Sequence, residues 1–293
     1  MKERPPASAM VLIFYLTIFD AVCSAFRERN AIFVFNLYKH FNNFPVGTME
    51  RKQDFLWWYW LYQPYKWFVF TPLMLVNSIV FAILAALFAL TISPRAGSFM
   101  GHCWARMACW LTPVWAFVKG KENIERKKSY VIVANHQTGW DIFLLYGYLP
   151  VDFRWLMKKE LRKIPFIGYA SEKVGHIFID RSSPRAALHS LEEAKNKLVN
   201  GNSVVIFPEG TRSRNKQMRP FKKGAFKLAF ELGLDILPIT IVNSYKIKRK
   251  GFYNIVPARA GLVIHPVIHP LDFKDDLEGL MLKTRRVLES ADE

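Results

Sequence analysis

Residues 130–141 read YVIVANHQTGWD. Five apolar residues, Tyr130–Ala134, run into a polar loop, and an apolar-periodic segment follows it. A short apolar run closed by polar residues marks a strand buried on both faces. The same pattern returns downstream at Phe153–Met157, His176–Ile179, Ser203–Phe207 and Ile236–Val242. Helical stretches separate these runs. Pro184–Asn200 puts Ala187, Leu188, Leu191, Ala194 and Leu198 on one face, with Pro184 in its first turn and Gly201 at its stop. Gly224–Leu232 runs into Gly233, and Asp275–Ser290 forms the last helix. Strand–helix alternation of this kind predicts an α/β fold, a mainly parallel (mixed) sheet flanked by helices.

Upstream of this region the chain changes character. Trp67–Pro94 contains no charged residue, and Trp67–Ile92 reads as one continuous membrane helix. Its length at ~1.5 Å per residue reaches about 39 Å, more than the ~30 Å hydrocarbon core of a bilayer. Before it, Phe55–Phe70 holds ten aromatics in sixteen residues, an interfacial belt. A turn at Ser93–Gly97 leads to a second helix over Ser98–Val118, which carries His102 and Arg106. An arginine at the bilayer centre costs roughly 2.5–3.5 kcal/mol, so this helix is expected to dip into one leaflet or pack on the protein. Lys2, Arg4 and Met10–Phe19 resemble the front of a signal peptide, but Asp20 ends the run and no A-x-A site follows. A short extra membrane segment is the better reading, and Met49 is an alternative start. The expected organisation is an N-terminal extension over 1–54, a two-helix membrane-inserting region over 55–120 and an α/β catalytic domain over 121–293.

Composition agrees with a membrane protein that meets anions. Apolar residues make up 51% of the 293, too many for a disordered chain, and the formal net charge is +17. Three cysteines without C-x-x-C spacing leave no disulfide framework and no cysteine zinc site, which suits a reducing compartment. Between Arg154 and Lys250 there are 21 Lys/Arg against 8 Asp/Glu, so most of the charge is local. A basic surface beside a membrane helix points to anionic lipid headgroups. Nucleic acid would suit such charge, but no zinc-finger spacing or RNA-binding signature is present, and no nucleic acid is expected.

Four segments carry the chemistry. In Asn135–Asp141, a loop entering a helix brings the Asp141 carboxylate back to the His136 ring. A carboxylate on one imidazole nitrogen leaves the other free as a base. Taken alone, the spacing is also that of a helix cap beside a surface histidine. In Phe207–Arg214 (FPEGTRSR), glycine permits close backbone approach, hydroxyls donate hydrogen bonds and arginine grips a phosphate. Gly175–Arg181 sets Arg181 just beyond a strand end, and Ile236–Thr240 is an apolar, proline-containing wall. His265 and His269 are spaced i,i+4, but a proline follows each, so they are read as structural. G-x-S-x-G, Walker A, H-E-x-x-H and G-x-G-x-x-G sequences are all missing.

The order of base, arginine, anion loop and apolar wall at successive strand ends resembles the four motifs of the glycerophospholipid acyltransferase family. The likeness is greatest to its bacterial-type 1-acyl-sn-glycerol-3-phosphate acyltransferase branch. It covers about residues 120–270, includes Lys158-Lys159-Glu160-Leu161 with Ile164-Pro165-Phe166, and leaves out residues 1–48 and the insertion Tyr245–Asn254. The resemblance implies transfer of a fatty acyl group from a thioester, acyl-CoA or acyl carrier protein, to the sn-2 hydroxyl of lysophosphatidic acid. His136 would be the base, oriented by Asp141. Arg181 and Arg212, with Gly210 and Thr211, would hold the phosphate, and Glu209 would orient an arginine or bind a glycerol hydroxyl. Backbone amides near Gly210, or Lys158 and Lys159, would meet the oxyanion. Neither metal nor redox cofactor is implied. The enzyme would sit at a membrane, by resemblance the bacterial inner membrane, with its catalytic domain facing the cytoplasm. The alternatives are the same chemistry on glycerol 3-phosphate or another lysophospholipid, or a catalytically silent membrane scaffold.

Overall fold

The structure, a computed structural model, describes residues 60, 62–125, 128–180, 202–213, 217–248, 254–273 and 276–291. The expected extension 1–54, residues 55–59 and 61 of the aromatic belt, the helix Pro184–Asn200 and Arg181 lie outside them. The described residues from Pro64 onward belong to one compact unit.

Among the described residues seven strands make one sheet. They are β1 (Val114–Lys119), β2 (Tyr130–Ala134), β3 (Phe153–Lys158), β4 (Ile177–Ile179), β5 (Ser203–Ile206), β6 (Asp235–Val242) and β7 (Ala258–Ile264). Their spatial order is β1-β7-β6-β2-β5-β3-β4. β6, β2, β5, β3 and β4 run parallel, β7 is antiparallel to β6, and β1 pairs with β7 in parallel. The sheet is therefore mixed, as the sequence predicts. Alternation along β2 feeds two cores. Tyr130, Ile132 and Ala134 join Leu144 and Leu145 on one face, while Val131 and Val133 join Phe226 and Leu228 on the other.

The helices are α1 (Thr71–Thr91), α2 (Pro94–Leu111), α3 (Trp140–Tyr148), α4 (Ile167–Val174), α5 (Gly224–Leu232), α6 (Ser244–Ile247) and α7 (Leu277–Glu289). A continuous helix over Tyr62–Thr91, mean hydropathy 2.6, is the one among the described residues long and apolar enough to cross a membrane. Leu73, Leu75, Val76, Val80, Ile83, Leu87 and Leu90 stand exposed on it, whereas Ala82 and Ala85 pack against Ala170 and Val174 of α4. Gly97 lets α2 approach it closely: a Cβ there would lie 2.6 Å from the Ala85 carbonyl oxygen.

The second helix differs from its expected span. It stops at Leu111, because Pro113 has no amide to continue it, and Val114–Lys119 becomes the edge strand β1. The sheet thus begins before residue 121, the expected domain boundary. α2 packs on the protein, burying Cys103, Ala105, Ala108 and Cys109, and Arg106 Nε donates to the Gly147 carbonyl at 2.6 Å.

Candidate active site

The carboxyl ends of β2, β3, β5 and β6 share one edge of the sheet because these strands are parallel. Asn135, the first residue past β2, is buried and clamps the loop to β6. Its Nδ2 donates to the Ile241 carbonyl at 3.1 Å, and its Oδ1 accepts the Ile241 amide at 2.7 Å. The loop then doubles back on Asp141, in the first turn of α3, where the helix dipole favours a carboxylate. Asp141 is fully buried, and its Oδ2 accepts from the Gln137 amide at 2.6 Å and the Thr138 amide at 2.8 Å. His136 Nδ1 meets the same oxygen at 2.7 Å. A carboxylate only accepts, so Nδ1 carries the proton and Nε2 keeps its lone pair. The structure brings these two residues together, an imidazole held by a buried carboxylate, an arrangement that can do the work of a base and its orienting anion.

The segment after β5 wraps His136. The Phe207 ring stacks on the imidazole, with centroids 4.0 Å apart and planes inclined by 14°. Glu209 Oε1 accepts the His136 amide at 2.9 Å, and Ser213 donates to the His136 carbonyl from its amide at 2.8 Å and its hydroxyl at 3.2 Å. Glu209 Oε2 accepts the Arg219 amide, also at 2.9 Å. Glu209 is only 3% exposed, and each of its oxygens accepts a backbone amide. The Gly210 amide is likewise committed, donating to the Phe207 carbonyl at 3.0 Å.

Three cations border this segment. The Arg212 guanidinium lies over Gly139: a Cβ on that glycine would be 3.5 Å from Nη2. Arg219 Nη1 donates to the Thr211 hydroxyl at 2.8 Å. The Lys222 side chain crosses Gly210, whose φ of +73° suits glycine and whose Cβ would come within 2.9 Å of Nζ. All three side chains belong to exposed residues. Arg219 and Lys222 escaped the sequence reading. The signal for them was the basic run from Arg212 to Lys223, which spacing alone does not resolve into contacts.

The remaining residues singled out in the sequence have their own partners. Lys158, the last residue of β3, and Lys159, just past it, are exposed and pair with Glu160 at 3.2 Å and Asp180 at 3.1 Å. His176, quoted with the second motif, is buried and shares a 3.3 Å hydrogen bond with the Tyr146 hydroxyl. Burial, helped by Arg154 and His102, pushes its imidazole down to about 3, so it stays neutral. Ile236–Ile239 lies in β6, buried between β2 and β7.

Comparison with known proteins identifies the family. Residues 116–242 match the family described as Acyltransferase. The chain is 33% identical over 177 residues to a 1-acyl-sn-glycerol-3-phosphate acyltransferase of Borreliella burgdorferi, covering 60% of this chain and 69% of that protein. It is 38% identical over 176 residues to the protein of that name from Pseudomonas aeruginosa, 58% of this chain and 67% of the other. For the one from Limnanthes douglasii the figures are 32% over 183 residues, and the chain spans 64% of that relative's length. The crystal structure of a 1-acyl-sn-glycerophosphate acyltransferase from Thermotoga maritima superposes with a TM-score of 0.67 at 26% identity, covering 76% of this chain and 92% of the other.

Proposed function

The chain belongs to the acyltransferase family, and on that premise we propose that it transfers a fatty acyl group from a thioester to the sn-2 hydroxyl of lysophosphatidic acid, giving phosphatidic acid. The single observation that carries this reading is the His136–Asp141 pair beside a cationic loop. His136 Nε2 takes the hydroxyl proton as the acceptor oxygen attacks the thioester carbonyl. The tetrahedral intermediate then collapses, expels the thiolate and returns the proton to it, leaving an ester and a free thiol. Such a base contributes roughly 10²–10⁴ in rate. Arg212, Arg219 and Lys222 form the cradle for the acceptor phosphate, with Arg181 as a further contributor. Loop amides other than that of Gly210 are the donors for the oxyanion. Acyl-CoA and acyl carrier protein are both candidate thioesters, and anionic lipids around the Tyr62–Thr91 helix would be the enzyme's surroundings. We place the catalytic domain on the cytoplasmic face.

The test is phosphatidic acid formation by the full chain in lipid micelles, with each thioester in turn. His136→Ala should abolish it while leaving the thermal melt unchanged. Turnover near that of the unaltered chain, or lysophosphatidic acid made from glycerol 3-phosphate as the main product, would sink the reading.

A further inference from the structure

His136 is held from three directions by one short segment. Glu209 takes its amide, Ser213 its carbonyl and Phe207 one face of its ring, across more than 70 residues of sequence. Backbone clamps of this kind fix where the side chain starts. They do not fix the plane of the imidazole, which can still turn about its last bond. The Asp141 contact lies in the ring plane at Nδ1, and the Phe207 stack acts perpendicular to it. Phe207 is itself backed by Trp155, with centroids 6.2 Å apart and planes at 26°, and Trp155 is buried. The stacked ring therefore cannot easily retreat.

We propose that Phe207 is a positioning residue for His136, locking the imidazole plane and favouring its protonated form as the hydroxyl proton arrives. This rests on His136 being the base. The physical warrant is the negative face of an aromatic ring. A neutral imidazole gains little from it, whereas an imidazolium lying over it is attracted by the ring quadrupole. An interaction that strengthens as the proton is transferred lowers the barrier without tightening the ground state. Its effect belongs in kcat and not in KM for either substrate.

A graded test separates this from simple packing. Phe207 is replaced in the full chain by 4-fluoro-, 3,5-difluoro- and 3,4,5-trifluorophenylalanine, which keep the ring shape while draining its face. Under the proposal kcat falls with each added fluorine, by about threefold to thirtyfold across the series, the range spanned by cation–π contacts from exposed to desolvated. Phe207→Leu falls at least as far, Phe207→Tyr recovers most of the rate, and neither KM moves. A flat fluorine series with an inactive His136→Ala would overturn the role of Phe207 alone and leave the base intact. A series that moves KM would assign the ring to substrate. An active His136→Ala would remove both this proposal and the reading beneath it. Because the fluorinated variants keep the packing, the test stands even if Phe207→Leu fails to fold.

Discussion

His136–Asp141 and His269–Asp235 are built on the same contact, imidazole Nδ1 to a carboxylate oxygen at 2.7 Å. Their settings differ at every other point. Asp141 is fully buried, its Oδ2 saturated by two further backbone amides, and its histidine is stacked on Phe207 beside exposed cations. Asp235 opens β6, in register with Tyr130 at the start of β2, so its pair lies on the sheet edge opposite His136. There the carboxylate is shared with Lys128 at 2.8 Å, and the His269 side chain is half exposed. A 2.7 Å contact is therefore no evidence of catalysis. A saturated carboxylate, a stacked ring and an exposed cationic border at the carboxyl ends of parallel strands are what set the first pair apart from a surface ion pair.

The sharpest way to break that contrast is to neutralise each carboxylate. Asp141→Asn removes the anion that supports the imidazolium and, by offering an amide group, disturbs the tautomer that leaves Nε2 free. It should slow acyl transfer by about 10²–10⁴-fold with little change in KM. Asp235→Asn should leave kcat within a factor of about two, since a surface ion pair contributes little. Equal losses in the two variants would mean that the Asp141 contact is no more than a structural tie.

Next in size is the border of cations. At the far pair the neighbouring Lys128 is spent on Asp235 and Glu125, whereas Arg212 stands exposed over Gly139. Charge-assisted hydrogen bonds contribute roughly 1.5–3 kcal/mol, so Arg212→Ala should cost about tenfold to a hundredfold in kcat/KM for lysophosphatidic acid. The KM for the thioester should stay put, and Arg212→Lys should recover only part of the loss, having charge without the planar fork. A monoacylglycerol acceptor lacks the phosphate. Unaltered enzyme should use it poorly and Arg212→Ala little worse. A variant equally crippled with both acceptors would assign Arg212 to the thioester or to the fold.

Much of this was legible in the sequence, for identifiable reasons. β2 and α5 fall on their predicted residues because an uninterrupted apolar run and a Gly233 stop leave no ambiguity. β1 was hidden because VWAFVK continues the apolar character of the helix before it, and β7 because Arg259 and Gly261 interrupt its run. Of the site, the sequence showed which chemical groups were present. It could not show that Glu209 holds the His136 amide, or that Phe207 lies on the imidazole, since those contacts join residues 73 and 71 positions apart. Local spacing reveals a pair such as His136 and Asp141, five residues apart, and little beyond it.

The smallest expected effect belongs to the second pair, and its sign can be worked out. Burial pushes the Asp235 carboxyl up, but the hydrogen bonds from Lys128 and His269 outweigh it and hold the group below its ordinary range. A carboxyl depressed in the folded state adds stability that is full above its unfolded value, about 3.9, and is lost as pH falls through the folded one. Removing one partner weakens that support without exposing a buried charge, because the Lys128 contact remains. His269→Ala should therefore cost at most about 1 kcal/mol near neutral pH, as exposed pairs do. For a chain of this size that is a drop of only about 2–4 °C in Tm. As pH falls through the depressed folded value of Asp235, the melting curves of the variant and the unaltered chain should converge, because the carboxyl becomes protonated in both. Acyl transfer at neutral pH should be unchanged. A kcat reduced tenfold in His269→Ala, with the protein still folded, would show that the far pair communicates with the site and that the two settings are less separate than the sheet between them suggests.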